Sequence, residues 1–65
     1  MTGGEFKRKL QALGAKIETR QGKGSHMKIR LGDRVTFAPD HGKKEVPIGT
    51  FRAICRQLGI KPTDI

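Results

Sequence analysis

The spacing of apolar residues along this chain changes twice, from helical to strand-like and back, and that change limits what it can fold into. Phe6, Leu10 and Leu13 recur at steps of four and three, the period of one helix face. From Ala15 to Ala38 the step falls to two, and from Ile48 to Leu58 the helical spacing returns. The order this demands is helix, strands, helix.

The punctuation agrees. Thr2-Gly3-Gly4-Glu5 has the form of a capping box, and Gly14 supplies the left-handed residue that ends the first helix. Ala15, Ile17 and Thr19 then alternate with Lys16, Glu18 and Arg20 in a first strand reaching Gln21. Gly22-Lys23-Gly24-Ser25 breaks it, and Met27, Ile29 and Leu31 alternate with His26, Lys28 and Arg30 in a second. Gly32-Asp33 marks a tight turn, after which Val35 and Phe37 alternate with Thr36 and Ala38 until Pro39.

Keeping every apolar residue on one face pairs Leu31 with Val35 and Ile29 with Phe37, which calls for a loop longer than the Gly32-Asp33 dipeptide. A two-residue loop would set Val35 opposite Arg30 instead. In the longer-loop register Arg30 lines up with Thr36, and His26 falls near Asp40. Residues 40–47 read as an irregular polar connection. The last helix begins around Pro47 to Gly49, with Ile48, Phe51, Ile54, Cys55 and Leu58 as its apolar stripe and Arg52 and Arg56 on its exposed side. Gly59-Ile60 caps it, and Lys61 to Ile65 is expected to fray. Both helices need the apolar face of the sheet to bury their stripes, so the expected fold is α+β, one domain over residues 1–65, with the opposite sheet face open.

Charge says what that open face meets. Fourteen Lys and Arg against six Asp and Glu give +8, and the cations run from Lys7 to Lys61 rather than forming a tail. That is the footprint of a nucleic-acid binder, or of a surface that docks an acidic protein, and the two are compatible. At 65 residues the chain buries only about 60% of its unfolded surface. A lone Cys55 allows no internal disulfide and fits a small buried filler. With no leader or long apolar run in the sequence, the cytoplasm is the default compartment and no membrane is expected.

Several chemistries are excluded by what is missing. Glu5, Glu18, Asp33, Asp40, Glu45 and Asp64 are dispersed, with no close pair to gather Mg²⁺, and one cysteine with two separated histidines makes no zinc set. Ser25 and His26 are adjacent on a strand and point to opposite faces, so a hydrolase pair is disfavoured. No cofactor or metal is called for. What remains is acid–base chemistry on RNA, which carries its own nucleophile in the 2′-OH; a histidine moves the proton and cations steady the phosphate charge. His26 is the candidate, although a single strand histidine is also commonly a plain surface residue. Lys23, Lys28, Arg30, Lys43 and Lys44 are the candidate phosphate contacts, with Gly24 and Ser25 of the glycine-bounded turn beside them; a solvated basic rim is the competing account. His41 is open between leaving-group acid, phosphate contact and loop residue. With no Trp or Tyr, and with Phe6, Phe37 and Phe51 all assigned to apolar stripes, base stacking is poorly supplied.

Gly24-Ser25-His26 at the head of a strand, Val35-Thr36, the Pro39-Asp40-His41-Gly42-Lys43-Lys44-Glu45 connection, Ile48-Gly49-Thr50-Phe51-Arg52-Ala53-Ile54 and Gln57-Leu58-Gly59-Ile60 together resemble the HicA toxin family, also called YcfA-like. The resemblance spans nearly the whole chain. It implies a double-stranded-RNA-binding-domain-like fold used as an mRNA interferase, with His26 catalytic. It also implies a HicB-type antitoxin that covers the site, in complexes holding more than one copy of each protein. Two positions depart from the family pattern: members often have a second histidine or other polar residue after the motif and an aromatic two residues further on, where this chain has Met27 and Ile29. Losing that aromatic is expected to weaken substrate grip more than fold. The rival reading is a non-catalytic basic RNA-binding module, or a small component of a ribonucleoprotein.

Overall fold

The computed structural model describes residues 1–19 and 26–65. Helix α1 spans Gly3–Ala12, strands β1 Lys16–Thr19, β2 His26–Leu31 and β3 Arg34–Pro39 follow, then helix α2 Ile48–Leu58 and a single 3₁₀ turn, Pro62–Asp64. The sheet order is β1-β2-β3, antiparallel throughout. This is an α+β, double-stranded-RNA-binding-domain-like arrangement, with both helices on one face of the sheet. Among the described residues no helix is long and apolar enough to cross a membrane.

Local signals act as the sequence implies at both helix ends. The Thr2 hydroxyl accepts from the Glu5 amide at 3.2 Å while the Glu5 carboxylate accepts from the Thr2 amide at 3.0 Å. Gly14 and Ala15 close α1 by donating to Gln11 and Leu10, and Gly59 and Ile60 close α2 by donating to Arg56 and Cys55. The core is built from Phe6 and Leu10 of α1, Met27, Ile29 and Ala38 of the sheet, and Ile54 and Leu58 of α2. Phe6 meets Phe51 edge to face, ring centres 5.4 Å apart.

The β2–β3 register departs from expectation. The hairpin closes on the two residues Gly32-Asp33, so that Leu31 pairs with Arg34, Arg30 with Val35, Ile29 with Thr36, Lys28 with Phe37, Met27 with Ala38 and His26 with Pro39. Gly32 adopts φ 60 and Asp33 a negative φ, the pattern of the two-residue turn whose twist matches that of its strands. Because side chains alternate, this one-residue shift turns all of β3 over. Thr36 and Ala38 are buried, at 3% and 2% exposure, and Val35 and Phe37 face outward. The inward Thr36 hydroxyl is satisfied by donating to Oε1 of Gln57 on α2, and Ala38 leaves room for that helix to approach.

Three smaller expectations also change. Leu13 is 41% exposed because it caps α1 rather than lying within it, and Ile48 is 68% exposed because it opens α2 beyond the edge of the core. Lys61 to Ile65 is a built turn: the Lys61 amide donates to the Asp64 carboxylate, and Ile65 packs partly against the core.

The polar connection after β3 is fastened to the start of α1. Gly3 and Gly4 amides donate to the carbonyls of Lys44 and Gly42, at 2.9 and 2.8 Å, and Val46 donates to Met1. Helix amides that usually need side-chain caps are thus satisfied by a loop. Lys7 Nζ lies 3.0 and 3.1 Å from the two Asp40 oxygens, and Oδ1 also accepts from Gly42. Burial alone would raise the Asp40 carboxyl, but the hydrogen bonds from Lys7 and Gly42 and the Lys7 charge outweigh it and hold it below its usual value.

Two predictions follow from this junction. A Cβ added at Gly3 would stand 2.6 Å from the Gly42 nitrogen and 2.9 Å from the His41 carbonyl carbon, whereas one at Gly4 meets nothing nearer than 3.7 Å. Gly3→Ala should therefore cost about 2 kcal/mol and lower Tm by roughly 10 °C in thermal melts. Gly4→Ala should be neutral or raise Tm through better helix propensity; equal melts for both would contradict the packing. The Asp40 carboxyl titrates lower in the folded state than its usual 3.8, so its stabilisation is complete above that pH and fades as pH falls through the folded value. Asp40→Asn should lower Tm by a few degrees at neutral pH, about 1 kcal/mol. The two Tm curves should converge as pH falls through the folded value, and parallel curves would rule the ion pair out as their cause.

Candidate functional site

With both helices on one side, the other sheet face is open, and the register states who stands on it. Lys16 lies opposite Arg30 and Glu18 opposite Lys28; across the second ladder come Val35, Phe37 and Pro39 against Arg30, Lys28 and His26. Residues directly opposite share a face. The open face therefore carries Lys16 and Glu18 from β1, His26, Lys28 and Arg30 from β2, and Val35, Phe37 and Pro39 from β3.

His26 is exposed and begins the central strand. Its backbone is fixed by pairing on the β3 side, and Pro39, which has no N–H, ends the ladder there. The strand's alternation is what aims the ring away from the core, since Met27 and Ile29 on either side of Lys28 are fully packed beneath the sheet. Lys28 is half-buried and Arg30 exposed, on the same side as His26.

A shallow groove of about 200 Å³ runs between Lys16, Glu18, Lys28 and Arg30. That is smaller than the roughly 300–1,000 Å³ of clefts that enclose small molecules, and suits a chain lying across the surface. Three cations share it with one carboxylate. Lys16 and Arg30 stand directly opposite, a like-charge pair that costs stability in a sheet. Among the described residues neither forms a salt bridge, as the described pairs join Met1 to Glu45 and Lys7 to Asp40. An anion bridging them would relieve that repulsion.

The other nominated residues are distributed as follows. Lys23, Gly24 and Ser25 lie outside the described residues. Lys43 and Lys44 are exposed on the turn bound to the first turn of α1, and neither lines the groove. His41 is placed on the helix side: its Cβ and carbonyl carbon abut Gly3, and its Nε2 is buried with no hydrogen-bond partner. The half-buried side chain packs at the α1 junction and does not line the groove. Cys55 is fully buried, and burial, with Asp64 adding, pushes its thiol above the ordinary range, as suits a filler. Among the described residues no three His, Cys, Asp or Glu side chains gather as a metal set.

Sequence reasoning passed over Lys16, Glu18, Val35, Phe37 and Pro39 as members of this face. Lys16 and Glu18 were readable from the polar side of the first strand, since antiparallel pairing brings them beside Lys28 and Arg30. Phe37 was not, because its position depends on the hairpin register. The departures at Met27 and Ile29 also take a different meaning: both are core positions, at 2% and 0% exposure, so they alter packing under the site and no ring on it.

Comparison with known proteins matches residues 3–60 to a family model described as the HicA toxin of bacterial toxin–antitoxin systems. A probable mRNA interferase HicA from Pseudomonas fluorescens (strain Pf0-1) is 47% identical over 57 residues, 88% of this chain and 92% of that protein. A probable mRNA interferase HicA 2 from Photorhabdus laumondii subsp. laumondii is 39% identical over 61 residues, covering 94% of this chain and all of the relative. No solved structure matches the chain. A family match over most of the chain, on a fold that leaves a basic sheet face uncovered, places it: this chain belongs to the HicA toxin family.

Proposed function

We propose that this chain is an endoribonuclease toxin, an mRNA interferase, that cuts RNA without a metal ion and uses His26 as its acid–base group. The observation that carries the reading is His26 itself, exposed at the head of the central strand and on the same side as Lys28 and Arg30. The RNA strand lies along the open face with its phosphates against Lys16, Lys28 and Arg30. The neutral imidazole takes the proton from a ribose 2′-OH. That oxygen bonds to the adjacent phosphorus, the bond from phosphorus to the 5′ oxygen breaks, the leaving 5′ oxygen takes a proton from the imidazolium or from water, and a 2′,3′-cyclic phosphate is left. Lys28 and Arg30 offset the charge that grows on the phosphoryl oxygens, an effect commonly worth a factor of about 10² to 10³ for each well-placed donor.

The names of the relatives support the substrate class, and the arrangement of a histidine among cations supports the chemistry. Lys23, Gly24 and Ser25 serve as further RNA contacts, and Lys43 and Lys44 as outlying phosphate contacts. The inhibitor is a HicB-type antitoxin whose acidic surface covers the open face, giving a hetero-oligomer in the cytoplasm, where mRNA is the target.

The test uses purified protein, a single-stranded RNA and excess chelator. The parent should cut, a DNA of the same sequence should survive because it has no 2′-OH, and His26→Ala should cut at least about 100-fold more slowly. Since His26 is exposed on the sheet face opposite the core, the variant's Tm should stay within about 2 °C of the parent's. Undiminished cutting by His26→Ala would remove the histidine from the mechanism, and a requirement for added metal would remove the mechanism itself.

A further inference from the structure

Phe37 is the one large aromatic side chain among the described residues that the fold leaves outside, at 65% exposure, while Phe6 and Phe51 pack together within. Its position is set by the β2–β3 register. It stands directly opposite Lys28, with His26 and Arg30 as its diagonal neighbours on the central strand. Diagonal pairs on one face are about 7–8 Å apart, within reach of long side chains and of one nucleotide. The ring stands on an edge strand beside Val35, which is also exposed. Edge strands ordinarily carry charge on their outer side to discourage pairing with other chains.

From this placement we infer that Phe37 is a stacking platform that holds one base of a single-stranded RNA against the sheet, and so fixes which phosphate lies beside His26. The inference rests on the ribonuclease reading above. Charge complementarity selects the occupant: the ring is flanked by Lys28, Arg30 and His26, with Lys16 beyond, on a chain of net charge +8. A phosphate backbone satisfies those cations while its base, freed from pairing, covers the ring. Stacking on an aromatic face accepts any base, so the platform adds grip and registration with little sequence preference. Without a ring on this face the strand would be held by sequence-independent electrostatic contacts alone, and these allow it to slide.

The side chain contributes little to the core, so its substitution reads out binding without unfolding the protein. The experiment measures anisotropy of a fluorescent 2′-O-methyl oligonucleotide, which cannot supply the attacking hydroxyl, at fixed salt. Phe37→Ala and Phe37→Leu should bind about 5- to 100-fold more weakly than the parent, and Phe37→Tyr should bind comparably. The slope of log affinity against log salt should be the same for Phe37→Ala and the parent, because no phosphate contact is lost. Phe37→Trp creates the only tryptophan in a chain that has none, and its fluorescence should be quenched as the oligonucleotide saturates the protein. If Phe37→Ala and Phe37→Leu bind as the parent does, or the tryptophan is not quenched, the platform is refuted and the ring belongs to a protein-docking surface; the ribonuclease reading would survive. Failure of the parent to bind any single strand would overturn both.

Discussion

The two-residue turn at Gly32-Asp33 is the constraint on which the rest of this structure depends. A strand has a side-chain period of two, so the length of the loop decides which half of β3 is buried. A loop of two residues buries Thr36 and Ala38; a loop of three would bury Val35 and Phe37. The molecule takes the first arrangement, because Gly32 reaches φ 60 without penalty and the turn's twist suits the strands it joins. Burying Val35 and Phe37 would gain apolar area, yet Phe6, Leu10, Met27 and Ile29 already fill that side at essentially zero exposure. A further ring beside Phe6 and Phe51 would have to displace them.

Small inward residues on β3 then define the rest. Ala38 lets α2 come close, Gln57 of α2 answers the Thr36 hydroxyl, and Arg34, on the inward side next to the turn, lies across Gly59 at the end of the helix. On the outer side the same shift assembles histidine, cations and a phenyl ring. Core and basic open face are thus two faces of one register, and the loop after β3 is held to the start of α1 by its backbone bonds to Gly3 and Gly4.

Much of this was legible in the sequence. The change of period marked the helix–three strands–helix order, the Thr2 and Glu5 box and the glycines after each helix marked ends, and alternation along β2 placed His26, Lys28 and Arg30 together. Family likeness pointed to the same histidine. What failed was a local choice between two opposing preferences. The apolar count favoured the three-residue loop, and turn geometry favoured the two-residue one. Thr36 looked polar and therefore external, since its partner Gln57 lies 21 positions away and no local pattern announces it. His41 resisted for a similar reason, as its surroundings come from α1. Pairings between distant segments are what single-chain periodicity cannot express.

The most direct test of the account is the pairing of β2 with β3 in solution, read from cross-strand nuclear Overhauser effects on isotope-labelled protein. The account predicts that backbone signals of Lys28 connect to Phe37, and those of Arg30 to Val35. Connection of Ile29 to Phe37 and of Leu31 to Val35 would mean the three-residue loop, with the ring turned into the core and the basic face rebuilt, and would contradict it.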